Sequence, residues 1–120
     1  MKKIFVVDDN TSSLLVAEDI LSELYEVYTL SSAEFMFNLL TSIMPDLILL
    51  DLLMPETNGF DVLKQLKIDP RYAGIPIVVI TSKSDLETEA LCKDLGAADF
   101  IRKPFTAPVL FDRVRTHSGI

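Results

Sequence analysis

The chain has 120 residues and 13.4 kDa, 49% of them hydrophobic and 24% charged, which amounts to one globular domain and excludes an intrinsically disordered one. A formal charge of −7, from 18 acids against 11 bases, argues against direct nucleic-acid binding and against a polybasic membrane anchor, both of which want a basic face. The lone Cys92 permits no internal disulfide, no apolar run reaches the roughly 18 residues of a membrane span, and Asp8 and Asp9 interrupt the stretch after Lys2 and Lys3 too early for a signal peptide, so a cytoplasmic domain is expected.

Two periodicities alternate along the chain. Ile4-Phe5-Val6-Val7 reads as a strand, followed by helical spacing over about 12–24 that puts Leu14, Ala17, Leu21 and Leu24 on one face with Ile20 beside them. A second strand, Val27 to Leu30, precedes a helix over about 32–42 that Ser31 or Ser32 can cap. That helix carries Met36, Leu39, Leu40 and Ile43; Phe35, Met36 and Phe37 read mostly as core, although three in succession cannot all face inward and a contact surface is the alternative for one of them. Leu47 to Leu50 is a third strand, and a helix over 59–68 after the Asn58-Gly59 turn carries Val62, Leu63 and Leu66. After the Asp69-Pro70 turn comes a fourth strand, Ile77 to Ile80. A helix over about 84–95 follows, with Ala90, Leu91 and Leu95 as its apolar face and Gly96 as its stop. Phe100-Ile101 is the fifth strand, and a last helix from about Thr106 carries Val109, Leu110 and Val114. Cys92 reads as plain packing or surface, and His117 as a solvent-facing residue.

Strand and helix repeated five times over 1–120 imply one α/β domain, doubly wound around a five-stranded parallel sheet with right-handed crossovers. In such sheets ligands bind outside the carboxyl ends of the strands. The first strand ends in Asp8-Asp9, the third in Asp51, the fourth in Thr81-Ser82 and the fifth in Lys103-Pro104. Each alone is an ordinary cap or turn residue; their joint placement is the signal. With the strands in the flavodoxin-like order 2-1-3-4-5, Asp8, Asp9 and Asp51 crowd together, and three carboxylates repel unless a cation intervenes. Oxygen ligands suit a hard divalent ion, and Mg²⁺ in particular shares its shell with water and phosphate.

At these residues the chain resembles the receiver domain of two-component response regulators, close in size to the single-domain chemotaxis type. The matching segments are VVDDN (6–10), DLILLDLLMP (46–55), NGF (58–60), IVVITS (77–82), GA (96–97) and FIRKPF (100–105), and the resemblance runs from Lys3 to about His117. It implies that Asp51 is the phosphoacceptor and that Asp8 and Asp9 hold Mg²⁺, Asp9 directly and Asp8 partly through water, with Asp51 and the backbone carbonyl of Leu53 completing the protein's ligands. It further implies that the Thr81 hydroxyl bonds a phosphoryl oxygen and that Lys103 pairs with the phosphoryl group. Phe100 matches the switch aromatic, without the tyrosine hydroxyl common there and with a permanently buried core ring as the alternative, and Leu53 and Lys83 flank the route of water to the phosphoryl group. A sensor histidine kinase or histidine phosphotransfer protein is the implied donor. The implied output is a downstream domain or target protein, or a homodimer, through the face of the fourth helix, fifth strand and fifth helix.

The domain would catalyse its own phosphorylation and dephosphorylation without being a turnover enzyme. Val109 to His117 resembles receivers that continue into an output domain as much as it does stand-alone ones. Two rivals stand beside this reading. One is a flavin-binding module on the same fold, disfavoured because Asp8-Asp9 would repel a phosphate. The other is a pseudo-receiver, a phosphorylation-independent interaction domain, disfavoured because all five polar residues are present.

Overall fold

The five aliphatic runs form five parallel strands, β1 (Lys3–Val7), β2 (Glu26–Leu30), β3 (Leu47–Asp51), β4 (Ile77–Thr81) and β5 (Asp99–Arg102), in the order 2-1-3-4-5. This computed structural model describes residues 1–120 apart from Glu56, Ser84 and Ile120. The helices between them are α1 (Thr11–Leu21), α2 (Ala33–Leu40), α3 (Gly59–Ile68), α4 (Leu86–Asp94) and α5 (Ala107–Ser118). A short antiparallel pairing of Leu53–Met54 with Thr57–Asn58 stands between β3 and α3.

Alternation along the strands builds two cores. Phe5, Val7, Ile48, Leu50, Ile77, Val79 and Phe100 share one with the inner faces of α2, α3 and α4. Ile4, Val6, Leu47, Leu49, Val78, Ile80 and Ile101 share the other with α1 and α5. Strands β3 and β4 are buried at every residue, which is why they read as unbroken apolar runs. Each such Leu, Ile or Val contributes roughly 1.5–3 kcal/mol on leaving water. The Lys3 amide also donates to Asp46 Oδ2 at 2.7 Å, tying the start of β1 to the residue before β3.

Helix starts follow the capping residues. Asn10, Ser32, Asn58, Asp85 and Thr106 each accept a backbone N–H of the first turn. Gly96, at φ 104°, turns the chain out of α4 as only glycine does readily. Gly59 is demanded by space: a Cβ there would lie 2.4 Å from the Leu52 Cα, a backbone atom that cannot step aside.

Four expectations are corrected. Val109, expected with Leu110 and Val114 on the apolar face of α5, is exposed. Helix α1 stops at Leu21 with Ser22 as its cap, so Leu24 is 60% exposed rather than part of the apolar face. In α4 the inward residues are Thr88 and Cys92, with Leu95 half-buried, whereas Ala90 and Leu91 face out; the expected start at Ser84 lies outside the described residues. A stripe made of a threonine and a cysteine escapes a search for aliphatic residues. His117 is not free in solvent: its Nε2 lies 2.8 Å from Asp99 Oδ2, joining α5 to β5. Cys92 is fully buried, and burial pushes its thiol up to about 11, in keeping with packing.

Candidate functional site

Because all five strands run the same way, β1, β3, β4 and β5 end at one edge of the sheet. Asp8 follows β1, Asp51 and Thr81 close β3 and β4, and Lys103 follows β5. Carboxylate oxygens of Asp8, Asp9 and Asp51 lie within 4.8 Å of one another. Asp8 and Asp51 are 4% exposed and Thr81 is fully buried, while Asp9 is open to solvent.

One cation serves the two buried acids. Lys103 Nζ donates to Asp8 Oδ2 at 2.6 Å and to Asp51 Oδ2 at 3.3 Å. The Asn10 amide donates to Asp8 Oδ1 at 3.0 Å, and the Leu53 amide to Asp51 Oδ1 at 3.1 Å. Both Asp8 oxygens thus carry a protein donor, whereas Asp9 is the outermost carboxylate of the three. The Thr81 Oγ1 accepts from the Lys83 amide at 3.2 Å, and the Lys103 amide donates to the Thr81 carbonyl at 2.9 Å, coupling the ends of β4 and β5.

The charge balance is incomplete. Burial, with the neighbouring Asp8 charge adding to it, pushes the Asp51 carboxyl up to about 6, although the Leu53 amide and the Lys103 charge favour ionisation. Burial works against the Lys103 charge, but the hydrogen bond to Asp8 and the charges of Asp51 and Asp8 outweigh it, so its pKa lies above the ordinary 10.5. Three carboxylates and one ammonium leave two formal negative charges, which a divalent cation would cancel. The donor set is oxygen only, as a hard ion requires.

Beside the acids lies an open cavity of about 500 Å³ lined by Asp9, Leu53, Met54, Asn58, Phe60 and Lys83. The structure therefore brings Leu53 and Lys83, 30 positions apart, to one cavity at the acidic cluster. Phe100, by contrast, is only 7% exposed and sits in the core shared with Cys92 and Ala97. Its side chain is already buried in this structure. The mixed charges of the α4, β5 and α5 face are also partly satisfied internally, Asp99 by His117 and Arg113, and Arg102 by Glu89 at 3.5 Å.

Fold and site together define a flavodoxin-like domain with a cluster of three acidic residues where its strands end. A family model for the response regulator receiver domain matches residues 4–115. Over 95% of its length the chain is 36% identical to a probable cyclic di-GMP phosphodiesterase of Vibrio cholerae serotype O1, of which it covers 26%. It is also 36% identical to the response regulator PleD of Caulobacter vibrioides, of which it covers 25%. Among solved structures it superposes on the chemotaxis protein CheY4 of Vibrio cholerae with a TM-score of 0.91 at 26% identity, covering 98% of both chains. The chain belongs to the response regulator receiver domain family of two-component signalling. It spans about a quarter of the length of the two curated relatives named here.

Proposed function

We propose that the chain, as a single receiver domain over 1–120, is a phosphorylation-activated switch in which Asp51 accepts a phosphoryl group from a phosphohistidine. The observation that carries this reading is Lys103 Nζ set between the buried carboxylates of Asp8 and Asp51, with Asp9 open beside them and Thr81 on the adjoining strand end. An Asp51 oxygen attacks phosphorus, the P–N bond of the donor breaks, and an acyl phosphate forms. Lys103 places positive charge against the equatorial oxygens, and the Thr81 hydroxyl, still accepting from the Lys83 amide, donates its proton to one of them. The residues suited to Mg²⁺ are Asp9, Asp51 and the Leu53 carbonyl, with Asp8 acting through water, since Lys103 holds Asp8 at 2.6 Å and Asp51 only at 3.3 Å. When bound, the ion supplies positive charge to the phosphoryl oxygens.

The donor is a sensor histidine kinase or a histidine phosphotransfer protein, and the setting cytoplasmic. The domain assists its own phosphorylation and dephosphorylation and does not turn over a separate substrate. With acetyl phosphate and Mg²⁺, intact mass should rise by one phosphoryl group, and chelation should prevent the rise. A chain that stays unmodified under both conditions would refute the reading.

Leu53 and Lys83 line the cavity beside Asp9, a route for water toward the phosphoryl group, and on this reading they tune the lifetime of the acyl phosphate. Dephosphorylation half-lives of Leu53→Asn and Lys83→Glu are expected to differ measurably from the parent's; half-lives matching it within error would remove both residues from that role.

Output runs through α4, β5 and α5. Movement of Thr81 toward the phosphoryl group carries the Lys83 amide and the chain entering α4 with it, and shifts the population of Phe100 toward the buried state seen here. That face exposes Leu86 and Leu91 and suits either a target protein or a homodimer. Beryllofluoride, a phosphoryl mimic, should move NMR signals from Thr81 to Arg113 as well as those around Asp51. A response confined to the residues touching the mimic would contradict signalling through this face.

A further inference from the structure

The sheet has an open edge at β2, and its backbone polarity follows from the register. The Glu26 amide donates to the Lys2 carbonyl at 2.9 Å and the Leu30 carbonyl accepts from Asp8 at 3.0 Å, so Glu26, Tyr28 and Leu30 turn their backbone groups toward β1. By alternation the N–H and C=O of Val27 and Thr29 point outward. Natural edges are commonly blunted by Lys, Pro or a bulge. The sequence of β2, EVYTL, has no Lys or Pro, and three of its five residues favour strands.

This edge forms the floor of a trough between α1 and α2. One cavity, of about 650 Å³, has Thr29 and Leu30 beneath it, Leu14 on one side and Phe35 and Leu39 on the other. A second, of about 510 Å³, has Val27 with Leu15, Glu18 and Asp19. Phe35 is 57% exposed and Leu15 60%, which answers which residue of the Phe35 to Phe37 run faces outward.

The charge around the trough is of one sign. Eleven of the 18 acidic residues lie between Lys3 and Lys64, a stretch without a single Lys, Arg or His that includes β2 and both flanking helices. Edge-to-edge pairing of two copies would bring these acids together and is disfavoured.

We infer that the β2 edge is a docking site for an extended, basic segment of a partner polypeptide, added as a sixth strand. Val27 and Thr29 supply the main-chain bonds; on the α2 side Phe35 holds apolar side chains of one parity, and on the α1 side Glu18 and Asp19 face basic side chains of the other. The site lies on the opposite edge of the sheet from the α4–β5–α5 face.

The probe is a capped peptide of about eight residues alternating lysine and valine, added to the isotopically labelled full chain. Hydrogen exchange of the Val27 and Thr29 amides, fast in the free protein, should slow about tenfold or more at saturation. Raising the salt should weaken binding, and the double substitution Glu18→Lys with Asp19→Lys should weaken it by about tenfold. Thr29→Pro, which removes one outward donor at a position where an edge strand tolerates proline, should abolish the protection. The charge-reversal variant serves if the proline variant does not fold. Shifts in the trough without protection of these two amides would mean that a helix or loose packing occupies it, and would overturn the proposal. So would protection that grows with protein concentration in the absence of peptide, which would make a second copy the occupant, or shifts confined to α4 and α5.

Discussion

Asp51→Asn is expected to be more stable than the parent at pH 7 without divalent ions, and the gain should vanish at low pH. The Asp51 pKa is raised from an ordinary 3.8 to about 6, by burial first and the Asp8 charge second. Below pH 4 the group is protonated in both folded and unfolded chains and costs nothing. Between about 4 and 6 the unfolded chain ionises while the folded one holds its proton, so stability falls as pH rises through this window. Above it the cost is constant. At about 1.4 kcal/mol per pKa unit it comes to roughly 1–3 kcal/mol, of which the amide relieves most. Mg²⁺ should stabilise the parent at pH 7, by roughly 1.4 kcal/mol at ten times its dissociation constant, and the variant much less. Urea midpoints at pH 3.5 and pH 7, with and without millimolar Mg²⁺, check all three parts. A variant less stable than the parent at pH 7 would show that the buried carboxylate is a favourable element of the fold, contrary to the electrostatics described.

The opposite sign is expected at Lys103. Its ammonium, 17% exposed, is the nearest positive charge to Asp8 and Asp51 among the described residues. Lys103→Met keeps much of the side chain's volume and leaves two buried carboxylates facing each other. Removing one partner of a buried pair costs about 3–5 kcal/mol. Because protonation of Asp51 gives relief here, a loss of about 1–3 kcal/mol at pH 7 is expected, shrinking below pH 5. Phosphorylation by acetyl phosphate should slow by about a hundredfold, the usual scale for losing one group placed against transition-state charge. Stability restored by Mg²⁺ with phosphorylation still slow would separate the two roles; an unchanged phosphorylation rate would remove Lys103 from the chemistry.

Much of this arrangement was legible in the chain itself. Buried parallel strands announce themselves as apolar runs, and the residues that end them must meet at one edge once the order is 2-1-3-4-5. The crowding of Asp8, Asp9 and Asp51 and the convergence of Thr81 and Lys103 follow from that topology. Finer statements depended on packing that periodicity does not encode. The inner face of α4 is built on Thr88 and Cys92, one polar and one small, so the outward Ala90 and Leu91 were the more conspicuous apolar residues. Leu24 continues the spacing of α1 past the point where the helix ends, because the turn into β2 begins at Ser22. The double engagement of Asp8, by Lys103 and by the Asn10 amide, is a matter of side-chain direction. So is the pairing of His117 with Asp99, which lies 18 residues away and across the α5–β5 contact. The trough along β2 is likewise a property of the sheet's edge.

The central claim is that Asp51 takes the phosphoryl group. After incubation with acetyl phosphate and Mg²⁺, borohydride reduces an aspartyl phosphate to homoserine, which marks the modified position for peptide mass analysis. The predicted result is homoserine at position 51 and at no other carboxylate, with no mark when Mg²⁺ is chelated. Homoserine at another aspartate, or a phosphoryl group on a hydroxyl that borohydride leaves in place, would contradict it.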